Sequence, residues 1–412
     1  MQARVASHAS TVRVGDLRVA MLHYGVGTEH VYATLIDEDG SPRSTRLAAV
    51  EQVAQPVERL SRMLRAPTRY PPAELTEALH GFSADWGRRL LPPPEVLAGY
   101  DVLVVVPHHF LHDLPLQVVR TGDADECIAN RFGVSFCSSA TLLQRAAGRN
   151  PARADGVAQW RFPLTAGAGG SDGAPDPPAL CCALGVDVLG GDARYGELAR
   201  SCAGHFPDRR LIMSRDGLKS PVVRQADVIC LVCHGVTNAQ EHDDSGLLLV
   251  AQPGSRSELT IALHLGQPFF FRDLPLRYLP PQLEVAPQFQ SGQQPELMTI
   301  TEVRTLVETR AQLVMLLGCS TATGQLRSGD SYASLAYQWL QAGAVSVLGH
   351  QWEADFPFVA GWVPVFLDNW VRRRQPKAIA VRDALNRVLD DGLVSRDALH
   401  LWGAVVLLGD WI

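Results

Sequence analysis

Three stretches of this chain are apolar almost without a break: Asp101-Val-Leu-Val-Val-Val-Pro, Ala226-Asp-Val-Ile-Cys-Leu-Val-Cys-His-Gly and Ala311-Gln-Leu-Val-Met-Leu-Leu-Gly-Cys-Ser. A strand turns successive side chains to opposite faces, so a run apolar at every position needs cover on both. Strand candidates at 179–186, 209–213, 226–233, 312–318, 344–349 and 403–408 alternate with helical patterns at 191–204, 299–309, 331–342, 357–373 and 376–391. That rhythm predicts an α/β fold, a mostly parallel sheet with helices on both faces. In such sheets chemistry collects at the carboxyl ends of the strands.

The first 150 residues read differently. Residues 11–47 alternate as strands do, 48–65 carry helical spacing, and a second helix is plausible over 73–90. Residues 148–178 are rich in Gly, Ala, Pro, Arg and Asp and read as a linker. The expected organisation is an N-terminal α/β unit (1–150), a linker (151–178) and a C-terminal unit (179–412). Residues 251–297, with Phe269-Phe-Phe and Tyr278-Leu-Pro-Pro, are long for a connection and read as a functional insertion.

Composition excludes several classes. Hydrophobic residues make up 46%, too many for a disordered chain. The 37 basic and 43 acidic residues leave a net charge of −6, which argues against direct nucleic-acid binding. No apolar run is long enough to span a membrane, and the N-terminus lacks a signal-peptide core. The expected location is the cytoplasm, with the eight cysteines as reduced thiols. The question becomes whether one of them is a nucleophile.

Two strands run directly into reactive residues, His234-Gly235 in one case and Gly318-Cys319-Ser320 in the other. If they are neighbours, the imidazole of His234 can take the thiol proton of Cys319. The amides of Gly235 and Cys319 can then hold an oxyanion, glycine allowing close backbone approach. The plain alternative is that both residues only pack in the core. Cys230-Leu-Val-Cys-His also has haem-attachment and C-x-x-C spacing, but on a strand Cys230 and Cys233 face opposite sides. His108 and His112 have H-x-x-x-H spacing but sit between Pro107 and Pro115 rather than on a helix. There is no phosphate-binding loop, dinucleotide fingerprint or G-x-S-x-G elbow, and no cofactor or metal is expected.

The C-terminal half resembles the CHAT domain family, caspase-like cysteine peptidases of the caspase and separase clan. The resemblance rests on an ordered set: Val232-Cys-His-Gly, Ser245-Gly-Leu-Leu-Leu-Val, Leu316-Leu-Gly-Cys-Ser-Thr-Ala-Thr-Gly, Gly329-Asp330, Gln351-Trp-Glu-Ala-Asp and Trp402-Gly-Ala-Val-Val-Leu-Leu-Gly-Asp. The N-terminal half is similar to the upstream part of long members through Asp101-Val-Leu-Val-Val-Val-Pro-His, Leu114-Pro-Leu and Ser138-Ser-Ala-Thr-Leu-Leu. The resemblance implies a caspase-like fold in which a tandem pseudo-caspase unit accompanies an active one.

It also implies a cysteine endopeptidase acting on a protein substrate, with Cys319 as nucleophile and His234 as general acid/base. Asp355, with Glu353 or Asp330, would line the primary specificity pocket and favour Arg or Lys, and Ser320 would contact substrate. These acids read equally well as surface charges or helix caps. The family's usual tetratricopeptide repeats are missing, so a separate sensor or activator protein is expected, in a bacterial defence or signalling system. The rival expectation is a degenerate caspase-like scaffold that recruits other proteins.

Overall fold

The computed structural model describes residues 16–37, 40–65, 70–121, 126–151, 177–187, 192–212, 214–236, 245–250, 270–271, 274–275, 295–326 and 332–412. Most of the linker and most of the 251–297 insertion therefore lie outside the described residues, as does Asp330.

The N-terminal residues form β1 (Val19–Val26), β2 (His30–Ile36), β3 (Pro42–Ala49), α1 (Val50–Arg65), α2 (Pro72–Gly81), β4 (Val102–Val106), β5 (Gly133–Phe136) and α3 (Ala140–Ala147). Beyond the linker come β6 (Leu180–Gly185), α4 (Ala193–Ala203), β7 (Asp208–Leu211), β8 (Val228–Val232), β9 (His234–Val236) and β10 (Gly246–Val250). Two short strands, β11 (Phe270–Phe271) and β12 (Leu274–Pro275), pair with each other. The remainder is β13 (Pro295–Thr299), α5 (Ile300–Leu306), β14 (Leu313–Leu316), β15 (Gly324–Leu326), β16 (Tyr332–Ser334), α6 (Leu335–Gln341), β17 (Ser346–His350), α7 (Phe356–Leu367), α8 (Lys377–Asp390) and β18 (Val405–Gly409).

Eleven strands form one sheet in the order β3-β2-β1-β4-β5-β18-β17-β14-β8-β6-β7. β4, β5, β8, β14, β17 and β18 are buried at every position, as uninterrupted apolar runs require. The α/β expectation, mostly parallel and covered on both faces, is met. Strands of both halves belong to this one sheet, joined edge to edge where β5 meets β18. β18 is parallel to β5 and antiparallel to β17. The carboxyl ends of β4 and β5 therefore open on the sheet edge opposite those of β8 and β14.

Local chemistry starts the helices. The side chains of Ser139, Asp192, Thr299, Ser334 and Asp355 accept backbone N–H groups at the starts of α3, α4, α5, α6 and α7. At α5 the cap is reciprocal, with Glu302 reaching back to the Thr299 amide. A second, three-stranded sheet runs β13-β10-β9. In it Leu248 pairs with both His234 and Leu297. The buried guanidinium of Arg215 pairs with Glu296 of β13 and Glu302 of α5, tying this small sheet to the body.

Candidate functional site

β8 and β14 are parallel neighbours, with Leu231 opposite Leu316. The pairing continues past the strand ends, where Leu317 N donates to the Leu231 carbonyl at 2.8 Å. Three residues beyond each member of the Leu231–Leu316 pair stand His234 and Cys319. Two glycines make this approach possible. A Cβ on Gly235 would collide with the Cys319 carbonyl, and one on Gly318 would collide with the Cys233 carbonyl and lie 3.3 Å from the Gly235 nitrogen. The two strand ends thus meet backbone against backbone.

The turn carrying the nucleophile candidate is tightly tied. Ser320 has φ +52°, unusual for a residue with a Cβ, and its N–H donates to the Trp352 carbonyl at 2.9 Å. Thr321 Oγ1 donates to the carbonyl of Leu316 at 3.2 Å and accepts the His350 amide at 3.1 Å. Ala322 N donates to the His350 carbonyl, and Thr323 Oγ1 to that of Gln351. The segment after Cys319 is therefore zipped onto the end of β17. His350 lies beneath it, fully buried, and burial pushes its imidazole down to about 4.

His234 is 7% exposed, and its Nε2 lies 2.7 Å from Asp187 Oδ1. Asp187 follows β6, the neighbour of β8 on the side away from β14. Its other oxygen accepts the Asp192 amide at 3.1 Å, where α4 begins. A carboxylate only accepts, so in this contact Nε2 carries the proton and donates to Asp187. Tyr195 of α4 packs on the imidazole, ring centroids 5.1 Å apart, and stacks on Phe356 of α7 at 4.7 Å.

Sequence reasoning missed Asp187. The signal was present, because Asp187 stands at the carboxyl end of a candidate strand. That strand's place beside β8 was not visible in one sequence.

All eight cysteines are free thiols, and seven are buried; Cys319 alone is partly exposed. Burial pushes Cys137 up to about 12 and Cys182 up to about 11 and also raises Cys181 and Cys233, while Cys230 is raised by its hydrogen bond to Cys202 and then by burial. Cys230 interacts with Cys202 of α4 whereas Cys233 faces Cys319, so the C-x-x-C pair is split across the strand as its alternation predicts. Among the described residues no group of three or more His, Cys, Asp or Glu side chains is arranged to hold a metal ion.

The acids after β17 occupy different places. Asp355 is the N-cap of α7, its Oδ2 accepting the Phe358 amide at 2.9 Å, so one oxygen serves the helix. Glu353 is half-buried in the same connection. His108 is no metal ligand in a helix: its Nδ1 accepts the Val26 amide at 2.9 Å. His112 lies flat on Tyr332, centroids 4.8 Å apart.

The sequence matches the family model described as "CHAT domain" over residues 87–410, well over half of the chain. No curated protein matches it in sequence. Among solved structures, two separase–securin complexes from Saccharomyces cerevisiae share the fold at 9% identity. For one the TM-score is 0.52, covering 96% of this chain and 30% of that chain. For the other it is 0.51, covering 95% and 30%. The chain thus spans under a third of the separase chains it matches. The arginine-specific cysteine proteinase gingipain R (RgpB) aligns at 11% identity over 88% of this chain and 75% of that chain, with TM-score 0.42. Among the described residues no helix is long and apolar enough to cross a membrane.

Proposed function

The chain belongs to the CHAT domain family, and we propose that it is a cysteine endopeptidase working through Cys319 and His234. The observation that carries this reading is the meeting of two strand ends at Gly235 and Gly318. It supports reading the one partly exposed thiol as the nucleophile and His234, whose Nε2 lies 2.7 Å from Asp187, as its base. His234 Nδ1 takes the thiol proton, and the thiolate attacks the scissile carbonyl. The N–H groups of Gly235 and Cys319 stabilise the oxyanion. The imidazolium protonates the leaving amine, and His234 then activates the water that releases the acyl group. Purified Cys319→Ala is expected to lose cleavage of the true substrate; full retention would overturn the reading.

The remaining oxygen of Asp355, with Glu353 and Asp330, supplies negative charge for an Arg or Lys before the cut, with Ser320 contacting the substrate backbone. A peptide-library profile with an apolar preference would reject this. Eight free thiols suit a cytoplasmic location. Control by a separate sensor or activator in a bacterial defence or signalling system remains part of the proposal. Deleting 262–295 tests whether the insertion receives that signal, and unchanged activation would exclude it.

The N-terminal half fits a non-catalytic counterpart. Its neighbours β1-β4-β5 repeat the order β6-β8-β14. At the positions in register with His234 and Cys319 stand His108 and Ser139. Ser139 caps α3, and His108 Nδ1 is occupied by the Val26 amide. Should the whole chain instead be a degenerate scaffold, an electrophilic peptide probe would not label Cys319. Labelling that is lost in His234→Ala identifies the enzyme.

A further inference from the structure

Residues 112–117, which follow β4, carry polar ties from the N-terminal half to the nucleophile turn. Asp113 Oδ1 accepts the Tyr332 hydroxyl at 3.1 Å, and that hydroxyl in turn accepts the Gly324 amide at 2.6 Å. His112 stacks on the Tyr332 ring, with the two planes 11° apart. Gln117 Nε2 donates to Gln351 Oε1 at 2.8 Å and to the Gly403 carbonyl at 2.7 Å. Gln351 is the residue whose carbonyl receives Thr323. Thr323 and Gly324, the last two residues of the turn 319–324, are thus each tied, through one intermediary, to the N-terminal half.

Apolar packing accompanies these ties: Leu111, Leu114 and Phe136 face Ala322, Tyr332 and Val406 around a narrow gap. The hydrogen bonds add direction to that contact, because they fix both distance and angle. Cys319 stands five residues before Gly324, on a turn that carries a left-handed serine. Such a backbone persists only while its surroundings hold it.

We propose that Tyr332, held by Asp113 and assisted by the Gln117–Gln351 pair, is a positioning residue through which the N-terminal half sets the place of the Cys319 thiol. The inference rests on reading Cys319 as the nucleophile and goes beyond it by giving the non-catalytic half a task. A partner that shifted residues 112–117 would change reactivity without touching the substrate cleft.

The test measures alkylation of Cys319 by iodoacetamide against pH in the full chain, located by peptide mass, alongside thermal unfolding. Tyr332→Phe keeps the ring on His112 but removes the hydroxyl that joins Asp113 to Gly324. Iodoacetamide reacts with the thiolate, so its rate follows the thiolate fraction that the neighbouring imidazole sustains. At pH 7 alkylation is expected to slow about 10-fold or more, with the pH midpoint moving up as thiol and imidazole separate. Asp113→Leu should follow Tyr332→Phe, while Asp113→Asn, which keeps an acceptor oxygen, should stay near wild type.

Gln117→Leu tests the second tie and serves if Tyr332→Phe does not fold. Rates and midpoints within twofold of wild type in folded Tyr332→Phe or Gln117→Leu would overturn the proposal. So would a fall in stability with unchanged alkylation. Failure of the peptidase reading appears separately, as a wild-type midpoint that His234→Ala leaves unmoved. Where a cleaved substrate is in hand, the loss should fall on kcat and not on KM.

Discussion

Replacing Asp187 by Asn tests the site at its most exposed assumption, which nitrogen of His234 carries the proton. The carboxylate lies 2.7 Å from Nε2, and both groups are buried. Asn keeps the size and retains one acceptor oxygen. Turned toward the Asp192 amide, that oxygen preserves the bond that starts α4. The amide nitrogen then faces Nε2 and donates, so the imidazole proton moves to Nδ1. A ring protonated at Nδ1 cannot take the thiol proton there.

The size of the effect can be bracketed. Losing one hydrogen bond to a charged group costs about 1.5–3 kcal/mol, one to two decades in rate. Losing the full attraction between an imidazolium and a carboxylate at this distance, with an effective dielectric near 20, costs about 6 kcal/mol, four decades. The expected fall in kcat/KM lies between about 100-fold and about 10,000-fold, with the melting temperature little changed. The assay is peptide cleavage across pH, with iodoacetamide labelling of Cys319 as a substrate-free control. Activity within threefold of wild type would refute the reasoning and leave Asp187 as an anchor for the Asp192 amide.

Three further outcomes follow from the same structure. Gly235→Ala should cut activity by about 100-fold and cost about 1–3 kcal/mol in denaturant unfolding, because its Cβ meets the Cys319 carbonyl; wild-type turnover would contradict the close approach. In the native protein at pH 8 only Cys319 should label, since Cys137 and Cys182 are pushed up to about 12 and about 11; labelled peptides containing either would count against the burial described. His350 stays neutral down to about 4 when folded but takes a proton near 6.5 when unfolded, so the unfolded chain binds more protons between those values. Stability should therefore fall as pH drops from 6.5 to 4, by about 3 kcal/mol from this group, and His350→Gln should flatten that limb; parallel curves would refute it.

What the sequence discloses here follows from burial. Runs such as Val228–Val232 and Leu313–Leu316 are apolar at every position because both faces are covered, and they read directly as strands. The two candidate residues stand where such runs stop, so the positions of His234 and Cys319 are legible as well. Asp187 is not, because its role depends on β6 lying beside β8, a contact between residues far apart in the chain. β5 escapes for a related reason: Gly133–Phe136 is four residues long and carries a serine, Ser135, whose hydroxyl is satisfied only by the distant Gly409 carbonyl. Asp355 shows the limit in the other direction, since a carboxylate two residues before a helical run is a cap as readily as a specificity determinant.

The place of β18 carries a consequence for how the molecule is made. Residues 405–409 are the seam between β5 and β17, and they leave the ribosome after every other strand of the sheet. Until they arrive, two sheet portions running in opposite senses each present a buried-type edge, Gly133–Phe136 on one and Ser346–His350 on the other. Segments 112–117 and 319–334 then have no common frame to meet in. Insertion of residues 405–409 is therefore the step that completes the proposed site.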